Sequence, residues 1–297
     1  MKIMVTGATG LVGSQLRPLL QQDGHEVVTL SRSAPRNSSE RQWNPAGKLA
    51  SGTLDGIEAI VHLAGENIGD GRWTAAKKQR IRDSRVIGTR MLAEAAAASG
   101  GQVKTFVCAS AIGFYGNRGN DQLTEDSSAG TGFLPDVCRE WEAATDPARE
   151  AGIRVVNLRL GVVLSRTGGA LAKMLLPFQM CVGGIIGSGQ QYWSWVTVDE
   201  AAQMFRFAVL NASLKGPVNA VSPQPVTNYE FTKALGSVLH RPTLFPLPAF
   251  MARLVLGEMA DDLILGSTRV VPTRLQATGY VFSHPEIGEA LTSAVRS

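Results

Sequence analysis

The chain has 297 residues, 44% of them hydrophobic and 18% charged, and a formal net charge of +4 at pH 7. This composition predicts a folded globular chain with a sizeable core, in one large or two small domains. The basic residues are spread thinly and form no run of five or six, so we expect no nucleic-acid partner.

The first thirty-two residues have the pattern of a strand, a glycine turn, a helix and a second strand. Residues 2–6 and 26–30 are largely apolar, and three glycines with the spacing G-x-x-G-x-x-G follow the first of these runs. A glycine turn that opens a helix is typical of a dinucleotide site, because backbone can approach a pyrophosphate that the helix N-terminus attracts. The residues expected to hold the cofactor here are Gly7, Thr9, Gly10, Leu11, Val12 and Gly13.

With Thr6 before the first glycine, this spacing resembles the short-chain dehydrogenase/reductase superfamily, and within it the extended, epimerase-like branch. At the end of the second strand, NAD sites usually place an acid for the ribose 2′-hydroxyl, whereas an arginine accommodates a 2′-phosphate. Ser31 and Arg32 occupy that point. We therefore expect NADP(H) as the cofactor; the alternative is that Arg32 is a solvated side chain at a strand end.

Residues 59–65 form a nearly unbroken apolar run, which is typical of a parallel strand buried on both faces. The resemblance implies that small residues at the end of this strand pack against the adenosine half of the cofactor. The cofactor contacts expected at this point are Leu63, Ala64, Gly65 and Glu66. In the loop that follows, we expect Trp73 either to contact the substrate or to anchor the loop.

A long helix is predicted over residues 74–99, because apolar residues recur near one face. It contains Arg85 at a position where the extended branch usually has Asn, within N-V-x-G-T. The resemblance places this position beneath the cofactor. Arg85 is therefore expected to reach a phosphate or to stack on adenine, unless it lies on the helix surface.

Residues 105–110 predict the next buried strand, and the residues after it resemble the superfamily's S-S-x-x-V-Y-G segment. Counted back from Tyr115, the usual catalytic Ser/Thr position falls on Ala111, with Ser110 one residue earlier. We expect Ser110 to contact the cofactor and to hold a substrate oxygen. Tyr115 is expected to contact the substrate and, secondarily, to move a proton.

The next helix lacks the superfamily's Y-x-x-x-K pair, since Leu134 and Cys138 stand at the Tyr and Lys positions. In that motif the Tyr donates and accepts the proton, while the Lys lowers its pKa and holds the ribose. A conventional proton relay is therefore not expected. Cys138 is expected to be inert packing rather than a reactive thiol.

The strand predicted at residues 155–164 has its end beside the nicotinamide in the extended branch, which implies a cofactor contact at Val163. In the helix that follows, Lys173 is the candidate cation at the substrate mouth; a merely solubilising lysine is the alternative.

Residues 183–200 resemble the branch's G-x-G-x-x-R-D-F-x-H-V-D-D, with Trp193 at the position of the Arg that often binds a nucleotide-sugar diphosphate. Its loss weakens the case for a nucleotide-sugar substrate. Tyr192 and Trp193 are expected to contact a flatter, more apolar substrate, or else to pack in the core. Asp199 is expected to cap the next helix.

Further pieces narrow the resemblance to the YfcH-type epimerase-family proteins, an atypical extended group of the NAD-dependent epimerase/dehydratase superfamily with a characteristic C-terminal region. They lie at residues 63–73, 141–142, 168–178, 187–191 and 256–280. The resemblance implies an α/β fold: a Rossmann-type doubly wound parallel sheet with a small, mainly helical C-terminal substrate lid. We expect residues 1–165 plus about 190–220 to form the NADP-binding domain, and about 166–189 and 221–297 to form the lid.

Three well-separated cysteines without C-x-x-C spacing indicate a reducing compartment, and four scattered histidines offer no metal cluster. The apolar strand at the start and the lack of an 18-residue apolar run give no reason to expect a signal peptide or a membrane span. We expect a cytoplasmic protein, monomeric or homodimeric, with no metal.

Two functions from different classes remain open. The first is an oxidoreductase or epimerase that transfers hydride between NADP(H) and a small hydroxyl- or carbonyl-bearing metabolite. The second is a non-catalytic NADP(H)-binding protein whose lid contacts a partner, which the missing Tyr/Lys pair favours.

Overall fold

Thirteen strands are present in the computed structural model of the chain, which describes residues 1–45 and 47–296. They are β1 (Lys2–Thr6), β2 (Glu26–Ser31), β3 (Glu40–Gln42), β4 (Ala59–His62), β5 (Thr105–Ala111), β6 (Gln122–Leu123), β7 (Arg154–Leu160), β8 (Val162–Ser165), β9 (Tyr192–Trp193), β10 (Trp195–Thr197), β11 (Gly216–Ala220), β12 (Val226–Thr227) and β13 (Arg269–Val270). Seven of them pair in parallel in the order β3-β2-β1-β4-β5-β7-β11. The other six form the pairs β8–β10, β9–β12 and β6–β13.

The helices are α1 (Leu11–Gln22), α2 (Ala75–Ala97), α3 (Phe133–Ala143), α4 (Asp146–Glu150), α5 (Gly169–Gln179), α6 (Val198–Leu210), α7 (Asn228–Leu239), α8 (Ala249–Leu256), α9 (Thr273–Ala277) and α10 (Ile287–Arg296). A 3-10 turn covers Ile112–Tyr115 and a π-helical turn covers Asp261–Leu265. No helix of the described chain is long and apolar enough to cross a membrane.

Side-chain caps set the starts of three of these helices, α2, α6 and α7. The Thr74 hydroxyl accepts a hydrogen bond from the Lys77 N–H, which starts α2 where the sequence predicts it. The prediction that Asp199 caps α6 is wrong. Thr197, the last residue of β10, accepts from the Glu200 N–H at 3.3 Å, and Asp199 lies in the first turn.

The sheet reverses its winding between β1 and β4. Strands β1 to β3 proceed outward on one side, and β4, β5, β7 and β11 proceed outward on the other. Helices connect most of these parallel strands, which confirms the predicted Rossmann-type doubly wound sheet with a helical C-terminal region. Ligands of such sheets bind in the crevice outside the carboxyl ends of the strands at this reversal, where the glycine turn follows β1.

Four clusters of buried hydrophobic residues are present in the described chain, and two of them are much larger than the others. The larger one packs both faces of the seven-stranded sheet. The second joins α5, β9, β10, α7 and α10 around Trp193, Trp195 and Phe231. The predicted domain boundaries stay a prediction, and the two cores do not follow them, since Trp193 and Trp195, expected in the cofactor domain, lie in the second core.

Part of the C-terminal region packs back onto the larger core. Leu275 of α9 is fully buried there, and Tyr280 packs against Phe207 of α6. The buried Glu200 carboxylate accepts a hydrogen bond from the Tyr280 hydroxyl and another from the Ser283 N–H at 2.7 Å. The end of the chain is thereby fastened to α6.

Candidate cofactor cleft and active site

The glycine turn after β1 leaves no space for side chains. Gly7 has a φ of +66°, and a Cβ there would lie 2.8 Å from the carbonyl carbon of Leu63. A Cβ on Gly13 would lie 2.2 Å from the Gly7 carbonyl oxygen, which also accepts the Gly10 N–H at 2.9 Å. The turn is therefore pressed against the end of β4 and presents backbone at the start of α1.

The N-terminus of α1 is built to receive an anion. Its N-cap residue is Gly10, so no side chain accepts from the N–H groups of the first turn. Thr9 and Gly10 are exposed, and Leu11 is half-buried. Because unpaired N–H groups and the helix dipole both favour negative charge, this end can bind a phosphate. A Cβ on Gly168 would lie 3.3 Å from a Leu11 methyl carbon, so the turn before α5 borders the same place.

The Thr6 hydroxyl joins the ends of β1 and β4. It accepts the N–H groups of Leu63 and Ala64 at 3.1 and 3.2 Å and lies 2.7 Å from the His62 Nδ1. Burial lowers the pKa of His62 to about 3, so the imidazole is neutral at neutral pH. His62 is fully buried and belongs to the core. These bonds hold Leu63, Ala64 and Gly65 beside the glycine turn.

Ser31 and Arg32 lie at the carboxyl end of β2, as predicted. Ser31 is half-buried and its hydroxyl donates to the Ser33 carbonyl at 3.2 Å. Arg32 is exposed, and its guanidinium forms no ion pair within the described residues. An arginine in this state can pair with a dianion without first breaking an internal contact.

Arg85 extends from α2 to the end of β4. Its guanidinium donates to the Glu66 carbonyl at 3.1 Å and lies 5.0 Å from the centre of the Trp141 ring. A Cβ on Gly65 would lie 3.5 Å from it. Arg85 is half-buried and forms no ion pair with a carboxylate in the described chain. It therefore brings a positive charge to the wall of the cleft between β4 and α3.

The Glu66 carboxylate pairs with a different cation. This is Lys77, whose Nζ lies at 2.8 Å, and this hydrogen bond keeps the pKa of Glu66 below its usual value. Its N–H donates to the Ser84 hydroxyl at 3.0 Å. The residue is therefore fixed at the cleft edge by both its side chain and its backbone.

A buried polar network lies where the usual catalytic residues would stand. The Ser110 hydroxyl donates to Glu142 Oε1 at 2.7 Å, and the same carboxylate receives two hydrogen bonds from Arg159 at 2.7 and 2.8 Å. Arg159 Nη1 donates to the Tyr115 hydroxyl at 2.9 Å, and that hydroxyl donates to Asn219 Oδ1 at 2.6 Å. The network joins β5, α3, β7 and β11.

Both predicted catalytic hydroxyls are enclosed by this network. Tyr115 is fully buried and Ser110 is 2% exposed. Burial also raises the pKa of Tyr115, which disfavours its ionised form at neutral pH. The catalytic roles of Ser110 and Tyr115 stay predictions, and this burial counts against them because both hydroxyls already have protein partners.

Sequence reasoning missed Glu142 and Arg159, although a signal for them exists. Arg159 lies in the middle of an apolar strand pattern, and Glu142 follows the buried Trp141. A charged residue inside a buried strand requires a partner of opposite charge. That requirement predicts an ion pair, though not which acid provides it.

The start of α3 lies against the 3-10 turn. A Cβ on Gly113 would lie 3.3 Å from the Leu134 Cβ and 3.8 Å from the Cys138 Sγ. Cys138 is buried, and desolvation raises the pKa of its thiol to about 12. The neutral thiol is therefore the favoured form at neutral pH, which argues against a role as a thiolate nucleophile.

Of the predicted substrate contacts in the first half of the cleft, Trp73 is 9% exposed. Its indole N–H donates to the Ile68 carbonyl at 2.8 Å, and its ring packs edge-on against Phe133. This geometry favours the alternative that Trp73 anchors its loop. Lys173 is exposed and donates to the Gly69 carbonyl, with Asp70 Oδ1 at 3.3 Å, so it lies across the same loop.

The other predicted contacts divide between core and surface. Trp193 is 6% exposed, donates to the Ile264 carbonyl at 3.1 Å and packs against Phe231, which favours core packing over substrate contact. Tyr192 is half-buried with the Arg269 guanidinium 4.8 Å from its ring. Val163 is half-buried on β8 and pairs with β10. Among the described residues, no group of three or more His, Cys, Asp or Glu side chains is placed to hold a metal ion.

A doubly wound sheet with a glycine turn at its reversal defines a dinucleotide-binding α/β protein. Residues 3–221 match the NAD dependent epimerase/dehydratase family, and residues 247–294 match a domain of unknown function, DUF1731. The chain belongs to the NAD-dependent epimerase/dehydratase family, which confirms the resemblance seen in the sequence. The first match ends before the helical C-terminal region and the second covers most of that region.

Relatives along the whole chain have the same family name. An epimerase family protein of Mycobacterium leprae is 42% identical and covers 98% of this chain and 95% of its own length. The epimerase family protein YfhF of Bacillus subtilis is 37% identical over 99% of this chain and 98% of its own length.

Among solved structures, human epimerase family protein SDR39U1 with NADPH superposes with a TM-score of 0.90 at 34% identity, covering 100% of both chains. A Corynebacterium glutamicum protein described as a nucleoside-diphosphate sugar epimerase has a TM-score of 0.82 at 38% identity. The match covers 99% of this chain and 58% of that one. The UDP-N-acetylglucosamine 4-epimerase of Bacillus cereus, at 17% identity and a TM-score of 0.78, shares the fold.

Proposed function

We propose that this protein binds NADP(H) and acts as an oxidoreductase or epimerase-like enzyme on a small hydroxyl- or carbonyl-bearing metabolite. The observation that carries the proposal is the start of α1, where backbone N–H groups without a side-chain cap can bind an anion. The turn beside it, at Gly7 and Gly13, has no room for side chains because a Cβ there would overlap backbone atoms. The human relative described with NADPH supports the choice of cofactor.

The described residues fit such a dinucleotide along the whole crevice. Backbone at residues 7–13 would hold the pyrophosphate, and Ser31 with Arg32 would receive the 2′-phosphate of the adenosine half. Residues 63–66 would pack against the adenosine half, and the nicotinamide half would extend toward Arg85, Ser110 and Val163, because β4 and β5 lie on the opposite side of β1 from β2. When bound, NADP(H) supplies the donor or acceptor of a hydride.

Arg85 is the residue that would act electrostatically on the reacting half. A guanidinium stays protonated at neutral pH, so Arg85 can stabilise negative charge but cannot move a proton. Because Leu134 and Cys138 replace the usual Tyr and Lys, a proton would have to come from solvent or from the substrate. Arg85 supports an anionic or oxyanion-forming substrate for the same reason.

A non-catalytic NADP(H)-binding protein is the second candidate. The enclosure of Ser110 and Tyr115 by Glu142, Arg159 and Asn219 favours it, since neither hydroxyl is free for a substrate. The two predicted domains would then have separate roles. Residues 1–165 and about 190–220 would bind the cofactor, and residues of about 166–189 and 221–297 would bind the partner.

The test measures binding and turnover on the same purified protein. NADPH fluorescence titration reports binding, and NADPH absorbance across a library of small carbonyl compounds reports turnover. We expect binding with substrate-dependent oxidation. Binding without oxidation, in the wild type and Ser110→Ala alike, would leave the non-catalytic candidate, and failure to bind NADPH would overturn both.

We also propose that the protein acts in the cytoplasm. Three cysteines without disulfide partners, two of them buried, support a reducing compartment. A plant relative is described as chloroplastic, so the compartment can differ between members of the family.

A further inference from the structure

An exposed apolar surface, which we call the lid face, covers one side of the C-terminal region. Six large side chains form its centre, each between 61% and 73% exposed: Leu176, Met180, Leu244, Phe245, Phe250 and Leu254. At about 200 Å² for a large apolar residue, they leave roughly 800 Å² in water. The largest apolar patch of a typical monomer is only about 300–600 Å².

The two segments that carry these side chains are packed side by side. Arg241 Nε donates to the Gln179 carbonyl at 3.2 Å, and the Leu247 N–H donates to the Ile185 carbonyl at 2.8 Å. A Cβ on Gly184 would lie 2.0 Å from the Phe245 carbonyl oxygen. The end of α5 and residues 241–247 therefore lie side by side, and α8 follows directly after this segment.

The cations beside the lid face already have internal partners. Arg253 of α8 pairs with Asp261 at 2.9 Å, and Arg241 donates to the backbone carbonyls of Gln179 and His240. An anionic lipid surface attracts helices through free Lys and Arg side chains. An apolar centre with satisfied charges at its edge is instead the composition of homodimer interfaces.

We propose that the lid face binds a second copy of this chain in a two-fold symmetric dimer, with α8 packed against the same helix of the partner. The exposed area matches the roughly 800 Å² that each partner contributes to a stable interface. Phe250 and Leu254 lie one turn apart, so they form a ridge that can interdigitate with its symmetry mate.

Such a dimer would also hold the loop at the mouth of the cleft. Arg72 Nη2 donates to the Leu254 carbonyl at 2.6 Å, and Lys78 pairs with Glu258 just beyond α8. The loop and the start of α2 are thus tied to the segment that the dimer would fix. This effect on the cleft rests on the proposed function, whereas the dimer itself does not.

The mass of the full-length protein in solution tests the proposal, by light scattering and sedimentation over a wide concentration range. We expect the wild type to be a dimer and the double variant Phe250→Asp, Leu254→Asp to have half its mass. The matched control is Val281→Asp, at an 85% exposed position beside Tyr280, which should remain a dimer. Thermal unfolding of all three proteins reports whether they are folded.

A second measurement covers the case in which the double variant fails to fold. Phe250→Cys should cross-link to itself under mild oxidation, because the two-fold axis would bring these positions together. The proposal is overturned by a monomeric wild type at every concentration, by a dimer that survives the double variant, or by a dimer without the cross-link. Sedimentation of a monomeric wild type with phosphatidylcholine–phosphatidylserine vesicles would assign the face to a membrane instead.

Discussion

The two ends of the cleft differ in how the chain builds them. At the β1–α1 turn the backbone forms the proposed binding surface, because there is no room for a side chain at Gly7 or Gly13. The start of α1 also has no side-chain cap. At the β5–α3 end, side chains fill the space, and a buried Glu142–Arg159 pair ties up Ser110 and Tyr115. One end is open to a ligand and the other is closed by internal contacts.

This difference shows that cofactor binding and proton chemistry are separable properties of one fold. Binding a pyrophosphate needs N–H groups and close backbone, which side-chain substitutions away from the glycines leave in place. Proton transfer needs particular side chains at particular positions, and here Leu134 and Cys138 replace them. A family name therefore describes the first end better than the second.

The largest expected effect is on stability, at the closed end. Glu142→Ala leaves the Arg159 guanidinium, whose side chain is 4% exposed, without its carboxylate. We expect the free energy of unfolding to fall by about 3–5 kcal/mol, measured by urea denaturation. Asp136→Ala, which breaks the exposed pair with Arg139 on the same helix, should lower it by about 1 kcal/mol or less. Equal losses would mean that the network is solvated rather than buried.

The next effect is on binding, at the open end. Gly13→Ala places a Cβ 2.2 Å from the Gly7 carbonyl oxygen, so the turn must move. We expect NADPH affinity to fall by at least about a hundredfold, or roughly 2.7 kcal/mol, in a fluorescence titration. Gly288→Ala, where a Cβ meets nothing within 4 Å, is the control and should bind as the wild type does. Unchanged affinity in Gly13→Ala would place the cofactor elsewhere.

A third change separates the two nicotinamide cofactors. Arg32→Glu removes the guanidinium proposed to pair with the 2′-phosphate and adds repulsion. It should weaken NADPH relative to NADH by about 2 kcal/mol, or roughly thirtyfold. Arg17→Glu makes the same charge change on the exposed side of α1 and should affect both cofactors alike. If Arg32→Glu also weakens both equally, Arg32 does not contact the 2′-phosphate.

The smallest effect lies between the two ends, at Glu66. Lys77 lowers the pKa of Glu66, so its contribution to stability is complete above the ordinary carboxyl pKa of about 4.3 and is lost as the pH falls through the lowered value. Glu66→Gln should therefore be less stable than the wild type by about 1 kcal/mol at neutral pH, and the difference should vanish in acid. Asp70→Asn, at an exposed pair with Lys173, is the matched control. A difference that persists in acid would assign the effect to packing.

The open end of the cleft could be predicted from the sequence because its signals are local. Three glycines, an apolar run on each side and an arginine after the second strand all lie within the first thirty-two residues. Their geometry depends on φ values and on close backbone approach, which residue type alone specifies. The structure places the turn and Arg32 where the sequence predicts them.

The closed end could not be predicted in the same way because its contacts join distant segments. Ser110, Glu142 and Arg159 come from three elements, and their hydrogen bonds depend on how β5, α3 and β7 pack. The position of Asp199 shows the same limit on a smaller scale. Thr197 caps α6 instead, because β10 runs directly into this helix. The preference of caps for certain residue types does not predict at which residue such a helix begins.

The hydrogen bonds from Tyr280 and Ser283 to Glu200 determine whether the C-terminal region can be separated from the Rossmann part. The two family matches are separated by residues 222–246, which suggests a Rossmann part and an appendage that could be exchanged between relatives. Removing the appendage would take away two hydrogen-bond donors of the buried Glu200 carboxylate, the Tyr280 hydroxyl and the Ser283 N–H. It would also expose the part of the core that Leu275 covers. The physical unit is thus the whole chain, and a transplanted lid would have to bring residues 275–284 and a compatible α6 with it.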